Sequence, residues 1–152
     1  MLSQASDVKV TFNSASANWN DSFGICAPIY QTLGYGKSVA SGTQYNLGQI
    51  PAGEVVMCIA NPAGNLWKTG DISRNPDGAE HAIVVSNGTN SWNVGFEDIW
   101  GGGDKDFNDI QLTVTATPVV VPPVTPVCTT HTTKKCSGNN VYWYNSCDTK
   151  ED

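Results

Sequence analysis

The chain is poor in charged residues, and basic side chains are the scarcer kind. Only 14 % of its 152 residues are charged, and 8 basic against 14 acidic residues leave a net charge of −6 at pH 7. Nucleic acids and anionic membrane surfaces attract basic patches, so this balance argues against both as partners. No apolar run approaches the roughly 18 residues of a membrane-spanning helix, so we expect no membrane insertion.

Helical periodicity is nearly absent as well. Apolar and polar residues instead alternate along 8–12 and 110–117, as they do in half-buried strands. Residues 55–60 form an uninterrupted apolar run, which is typical of a central strand covered on both faces. Shorter strand candidates at 82–85 and 92–96 lie between clusters of turn residues. This pattern predicts an all-β fold, specifically a jelly-roll-like β-sandwich.

A signal peptide is not recognisable in the N-terminal segment, which has neither a basic nor an apolar stretch. Five cysteines are nevertheless many for a cytosolic chain without a redox motif or a zinc motif. We therefore expect an extracellular or cell-surface protein from which a signal peptide has been removed. Cys26 and Cys58 are expected to form a disulfide, and two buried free thiols are the alternative.

Proline marks a domain boundary. Residues 118–126 contain four of the eight prolines. Such a segment cannot supply the N–H groups of a strand ladder and favours an extended, semi-rigid spacer. We therefore expect a β-sandwich over 1–117, a linker over 118–127 and a cysteine-rich, disulfide-stapled module over 128–152.

The C-terminal segment is too small to bury a sufficient core without disulfides. It contains Cys128, Cys136 and Cys147, and the odd cysteine count leaves one thiol without a partner. Its end, SGNNVYWYNSCDTKED, resembles small cysteine-rich modules with a YWY-x-SC core, in which a further cysteine follows, so we expect an incomplete module. A zinc site made by these cysteines and His131 is an alternative, although the spacing does not match a zinc knuckle.

The stretch 95–109, GFEDIWGGGDKDFND, carries the clearest chemistry. It holds five of the fourteen acidic residues, offset only by Lys105. Two unit charges about 4 Å apart repel by ~1 kcal/mol in water and by more near a protein surface. The loop therefore needs a counter-charge, and its oxygen ligands indicate a hard cation, with Ca²⁺ the first choice. The five acids are Glu97, Asp98, Asp104, Asp106 and Asp109.

The expected ligands fall into two groups. One is a turn with closely spaced side-chain oxygens, made by Asp104, Asp106, Asn108 and Asp109. The spacing resembles half of an EF-hand loop, but Thr115 stands where that loop has its glutamate, so an EF-hand is excluded. Glycines 101–103 allow the turn to fold back and share one ion with the preceding strand end. Glu97 and Asp98 point to opposite faces there, so we expect one direct ligand and favour Asp98.

Two alternatives to a metal site remain for this loop. One is a solvated acidic turn without an ion. The other is a catalytic carboxylate pair, as in glycoside hydrolases, which requires two separated carboxyl groups in a cleft and is disfavoured by clustering on one turn. His81 is expected to be a partly buried, hydrogen-bonded histidine, since no Ser/His/Asp set can be assembled around it. We therefore expect no enzymatic activity.

The stretch GFEDIWGGGDKDFNDIQLTV is similar to the C-terminal signature of a bacterial surface-protein domain of unknown function. In that family GFED is followed by a glycine-rich GGD, then DFND and a closing strand. VTFNSASANWNDSFGI resembles the opening strand and turn of the family, and LGQIPAGEVVMCIAN its middle segment. The resemblance covers residues 8 to about 117. It implies a calcium-bearing β-sandwich from large secreted, adhesin-like or cell-surface proteins, with no assigned catalytic activity.

These observations predict a non-enzymatic calcium-binding domain, in which the ion stabilises the acidic loop. Another surface protein or a glycan is a candidate partner. A calcium-dependent carbohydrate-binding module is the alternative function, because Trp100 places an indole inside the acidic loop where it could stack on a sugar ring. A glycoside hydrolase is a second, less favoured alternative.

Overall fold

The computed structural model describes residues 1–123 and 125–151, which form two compact units, Met1–Val119 and Val120–Asp152. The first unit has nine strands and two short 3₁₀ helices, Gly36–Ser38 and Ile72–Arg74. Its strands are β1 (Ser6–Ser14), β2 (Ser22–Ala27), β3 (Gln31–Tyr35), β4 (Gln44–Ile50), β5 (Val56–Ala60), β6 (Leu66–Lys68), β7 (Ala82–Ser86), β8 (Ser91–Phe96) and β9 (Ile110–Pro118).

The nine strands form two antiparallel sheets. One has the order β4-β1-β9-β8-β7 and the other the order β3-β2-β5-β6. The chain crosses between the sheets after β1, β3, β4 and β6. Phe12 of β1 stacks on Phe23 of β2, with ring centroids 5.1 Å apart, so the two sheets pack face to face. The fold is the jelly-roll-like β-sandwich that the sequence predicts.

The alternating strands bury the faces that their patterns predict. Val8, Val10 and Phe12 of β1 point into the core, where each is almost wholly buried. The apolar residues of β9 do the same, and β1 and β9 pair with each other along nearly their whole length. This pairing joins the first and last strands of the unit at the centre of the five-stranded sheet.

The apolar run of the second sheet becomes β5, which lies between β2 and β6 and is buried over most of its length. A disulfide joins Cys26 on β2 to Cys58 on β5, as the sequence predicts. It closes a separation of 32 residues. On the chain-entropy model such a cross-link stabilises the fold by about 3–4 kcal/mol.

The second unit contains β10 (Thr133–Ser137), β11 (Asn140–Tyr144) and β12 (Lys150–Glu151), which form one antiparallel sheet. Cys128 and Cys147 form a disulfide, and Cys136 is exposed with a free thiol. The zinc alternative is therefore wrong, because two of its four ligands are bonded to each other. Among the described residues, no helix is long and apolar enough to cross a membrane.

The acidic loop lies at one end of the sandwich. Strands β8 and β9 are neighbours, with Phe96 opposite Ile110, so the connection 97–109 leaves and re-enters the sheet at the same end of its strands. The connection 15–21 between β1 and β2 reaches the same end. Its backbone bonds the loop through Ser16 N–H to Asn108 O at 3.3 Å and through Ala17 N–H to Asp109 O at 3.4 Å.

Candidate functional site

The start of the acidic loop rests on a buried layer of polar and aromatic side chains. Asn61 Nδ2 and Trp67 Nε1 both donate to the carbonyl of Asp98, at 2.8 and 2.9 Å. His81 Nδ1 donates to the carbonyl of Glu97 at 3.0 Å. The His81 ring lies flat on Trp67, with centroids 3.6 Å apart. Satisfied buried hydrogen bonds of this kind hold the backbone of residues 97–98 in one place.

Asp77 fastens the middle of the loop to the same layer. Its Oδ2 accepts from Gly101 N–H at 2.7 Å and from His81 Nε2 at 2.8 Å, and its Oδ1 accepts from Ala79 N–H at 2.9 Å. Burial by itself would raise the pKa of Asp77, but these donors lower it to about 2. Asp77 is therefore a charged anchor for the loop, and the two ring nitrogens of His81 are both engaged.

Three carboxylates of the loop converge above this layer. Glu97, Asp104 and Asp106 each present an oxygen, and these oxygens lie within 4.8 Å of one another. Glu97 is only 1 % exposed, and its Oε1 accepts from Phe107 N–H at 2.6 Å. Burial raises the pKa of Glu97, and the neighbouring aspartates raise it further, against the lowering effect of that N–H.

The backbone of the loop is shaped to bring these oxygens together. Gly103 has φ of +50°, and a Cβ atom there would lie 2.1 Å from Glu97 Oε2. A side chain at this position would therefore displace the Glu97 carboxylate. Lys105 and Phe107 also adopt left-handed backbone conformations, with φ of +62° and +52°. Such conformations are uncommon for residues with side chains and are concentrated at functional sites.

Asp98 is not part of the set formed by Glu97, Asp104 and Asp106, although it does reach Asp109, another of the four expected turn residues. Its side chain interacts with the carboxyl groups of Asp21 and Asp109. The structure thus brings Glu97, and not the favoured Asp98, together with Asp104 and Asp106. The physical reason is that the buried layer fixes the Asp98 carbonyl, and this sets the direction of both side chains.

Burial and mutual repulsion perturb this second group of acids. Burial raises the pKa of Asp98 to about 6, with Asp21 adding to the effect. Burial likewise raises the pKa of Asp109 to about 6, with Asp98 adding to the effect. Asp109 Oδ2 also accepts from the backbone N–H of Asp98 at 2.9 Å.

Two further predicted residues lie at the rim. The Asn108 amide is hydrogen-bonded to Ser16 and to Asp106, so it braces the turn. Trp100 is 60 % exposed and packs edge-on against Trp67, with centroids 5.9 Å apart. A groove at this end of the sandwich is lined by Trp100, by Trp19 and by carboxylates of both groups.

In residues 1–123 and 125–151, no salt bridge involves an acidic residue of the loop 97–109. The donor set consists of carboxylate oxygens, partly buried and negatively charged, which suits Ca²⁺ better than a softer transition metal.

Sequence reasoning missed Asp21 and Asp77. Both lie in connections between strands, distant in sequence from the loop, and nothing in the sequence distinguishes them from ordinary solvated residues of such connections. Their side chains reach the loop only because the two sheets pack together.

Comparisons with known proteins identify a family and no individual relative. Neither curated proteins nor solved structures yielded a match to the chain. Residues 39–117, which are 79 of the 152 residues, match the family model of a domain of unknown function (DUF4114). The matched range includes the whole acidic loop and its buried layer, and it begins after β3. The chain therefore belongs to this family of domains of unknown function.

Proposed function

We propose that the domain binds Ca²⁺ between Glu97, Asp104 and Asp106 and that the ion stabilises the loop 97–109. The observation that carries the proposal is the buried Glu97 carboxylate, which faces two other carboxylates without a basic partner among the described residues. Three like charges converging on one point favour a divalent cation strongly. Ca²⁺ accepts 6–8 oxygen ligands in flexible geometry, so water from the open groove would complete its shell.

The domain acts in this proposal as a non-enzymatic module of a secreted or cell-surface, adhesin-like protein. Two disulfides support an extracellular setting, because disulfides persist in oxidising compartments. His81 is fully buried with both ring nitrogens bonded, which speaks against its use as a general base.

Millimolar Ca²⁺ should raise the melting temperature of the calcium-free protein by several degrees. A ligand at about a hundred times its dissociation constant stabilises the folded state by ~2.7 kcal/mol, and this is a substantial shift for a domain of this size. Scanning calorimetry of the full chain with chelator and with Ca²⁺ measures it. Mg²⁺ should substitute poorly, because it demands tighter octahedral geometry.

Single substitutions test which carboxylates cause the calcium-dependent melting shift. Glu97→Gln and Asp106→Asn should each reduce the calcium-dependent shift, since each removes a negative charge while keeping the shape of the side chain. Asp7→Asn is the matched control, because Asp7 is an exposed acid on β1 away from the loop. Equal melting curves with chelator and with Ca²⁺ would refute the calcium site.

A calcium-dependent carbohydrate-binding module is the second candidate. It is favoured by the groove, where two exposed indoles, Trp19 and Trp100, lie beside the carboxylates. Aromatic faces stack on sugar rings, and the packing of Trp100 on Trp67 holds one such face in position.

Trp100→Ala separates the two candidates. If the groove binds glycans, this substitution should abolish calcium-dependent retention on a glycan array and leave the calcium-dependent melting shift nearly intact. Tyr30→Ala is the control, because Tyr30 is an exposed aromatic that does not line the groove. Absence of calcium-dependent glycan retention by the unmodified chain would contradict this second candidate alone.

A further inference from the structure

Asp21 is an unusual residue for the interior of a β-sandwich. Its side chain has no exposed surface, and neither carboxylate oxygen accepts a hydrogen bond from any residue that the structure describes. A buried polar group without a partner is costly, and a buried charge without one is costlier still. Asp21 is nevertheless held firmly in place, since its carbonyl accepts from Gly36 N–H at 2.8 Å just before β2 begins.

The Asp21 carboxyl group interacts with two other acids. Its neighbour is Asp98, which is 3 % exposed and interacts in turn with Asp109. Lys37 is the basic group that acts on Asp21, but it is exposed and its ammonium donates to the carbonyl of Asn18. Three largely buried carboxyl groups are thus close to one another, and none of them forms a salt bridge within residues 1–123 and 125–151.

This group shares no carboxyl group with the site proposed above, although Asp109 also raises the pKa of Glu97. Glu97 and Asp98 are neighbours in sequence, yet they serve different sets, because Glu97 meets Asp104 and Asp106 while Asp98 meets Asp21 and Asp109. Asp21 lies outside the residues that match the family. The second group also joins different parts of the chain, since it links the connection 15–21 to the loop 97–109.

We infer that Asp21, Asp98 and Asp109 form a second site for a divalent cation of the Ca²⁺ class. The Asp21 carboxylate is fully buried and has no hydrogen-bond partner among the described residues, so a bound ion would offset the cost of burying its charge. An exposed acidic cluster has no such cost, because water solvates it. Carboxylate oxygens are the ligands that Ca²⁺ prefers, and Asp98 and Asp109 border the open groove, from which water would complete the shell. The ion ties the β1–β2 connection to the acidic loop. This inference stands on residues other than those of the first site.

The test is a calorimetric titration of the calcium-free full chain with CaCl₂. The unmodified chain should bind two ions. Asp21→Asn should bind one, and its calcium-dependent melting shift should fall by about half. With chelator, Asp21→Asn should melt at the same or a higher temperature than the unmodified chain, because the substitution removes a buried charge without a partner. Asp7→Asn is the control and should leave both ions bound.

The first site is tested separately by Glu97→Gln, which should also bind one ion. If the unmodified chain binds one ion that Glu97→Gln loses and Asp21→Asn keeps, the second site is refuted and the first stands. If that ion is lost in Asp21→Asn and kept in Glu97→Gln, the first site fails and the second stands. If Asp21→Asn does not fold, Asp98→Asn is tested in its place. This substitution changes the side chain of residue 98 and leaves the hydrogen bonds of its backbone carbonyl available. Retention of two ions by Asp98→Asn would equally overturn the second site.

Discussion

Lowering the pH from about 7 to about 5 should raise the melting temperature of the calcium-free protein, whereas acid usually destabilises a fold. Burial and neighbouring acids raise the pKa of Asp98 and of Asp109 from 3.8 to about 6. Between these values the folded state binds more protons than the unfolded state. The stabilisation is therefore complete below the unfolded pKa and is lost as the pH rises through about 6.

The effect should be large. A shift of one pKa unit corresponds to about 1.4 kcal/mol. A carboxyl with a pKa of about 6 takes up most of its proton between pH about 7 and about 5, so Asp98 contributes on the order of 1 kcal/mol over this range. Asp98 and Asp109 interact, so the two titrate as a coupled pair. Asp77 acts in the other direction, but its pKa lies at about 2 and its contribution is lost only below the range used here.

Scanning calorimetry of metal-free protein between pH about 7 and about 5 measures this dependence. Asp98→Asn should flatten it, and Asp7→Asn should not. Added Ca²⁺ should reverse its sign, because protons then compete with the ion for the same oxygens. A melting temperature that falls steadily over this range without calcium would show that these carboxyl groups are not destabilised by the fold.

His81→Ala should lower the free energy of unfolding by about 3–5 kcal/mol, the range that is common when a large, fully buried side chain is truncated to alanine. The substitution deletes the donors to Asp77 and to the Glu97 carbonyl and empties the space against Trp67. Because typical domains are stable by only about 5–15 kcal/mol, much of the stability of the sandwich would be lost. Calcium affinity should fall as well, since Glu97 loses the bond that positions it.

Chemical denaturation with and without Ca²⁺ provides the measurement. His131→Ala is the matched control, because His131 is exposed in the second unit, and it should change stability by no more than about 0.5 kcal/mol. His81→Gln should recover part of the loss by restoring one hydrogen bond. A cost for His81→Ala that equals the cost of the control would mean that the buried layer does not support the loop.

Local pattern determined much of the fold. Alternation along β1 and β9 specified which side chains are buried, because successive residues of a strand point to opposite faces. The continuous apolar run that forms β5 predicted a central strand, because a strand covered on both faces has apolar side chains on both faces. Strands β3 and β6 are short or half-exposed and have no such pattern, so they emerged only from pairing with neighbouring strands.

The chemistry of the acidic loop was also local. Five acids and three consecutive glycines within residues 95–109 indicate a cation site whatever the rest of the fold. The opposite directions of Glu97 and Asp98 follow from their being adjacent. Which of them faces Asp104 and Asp106 does not follow, because the choice depends on the donors that hold the Asp98 carbonyl, Asn61 and Trp67.

Only the tertiary structure decided what surrounds the loop. Asp21 and Asp77 reach it from connections distant in sequence, and His81 connects Asp77 to the Glu97 carbonyl. The sequence shows which residues carry oxygen ligands. The distances between their charges depend on which segments the packing of the two sheets brings to the same end of the sandwich. The oxygen donors that would suit a hard cation are therefore visible in the sequence of the acidic loop itself, whereas the division of its acids into two groups results from the packing of the sandwich.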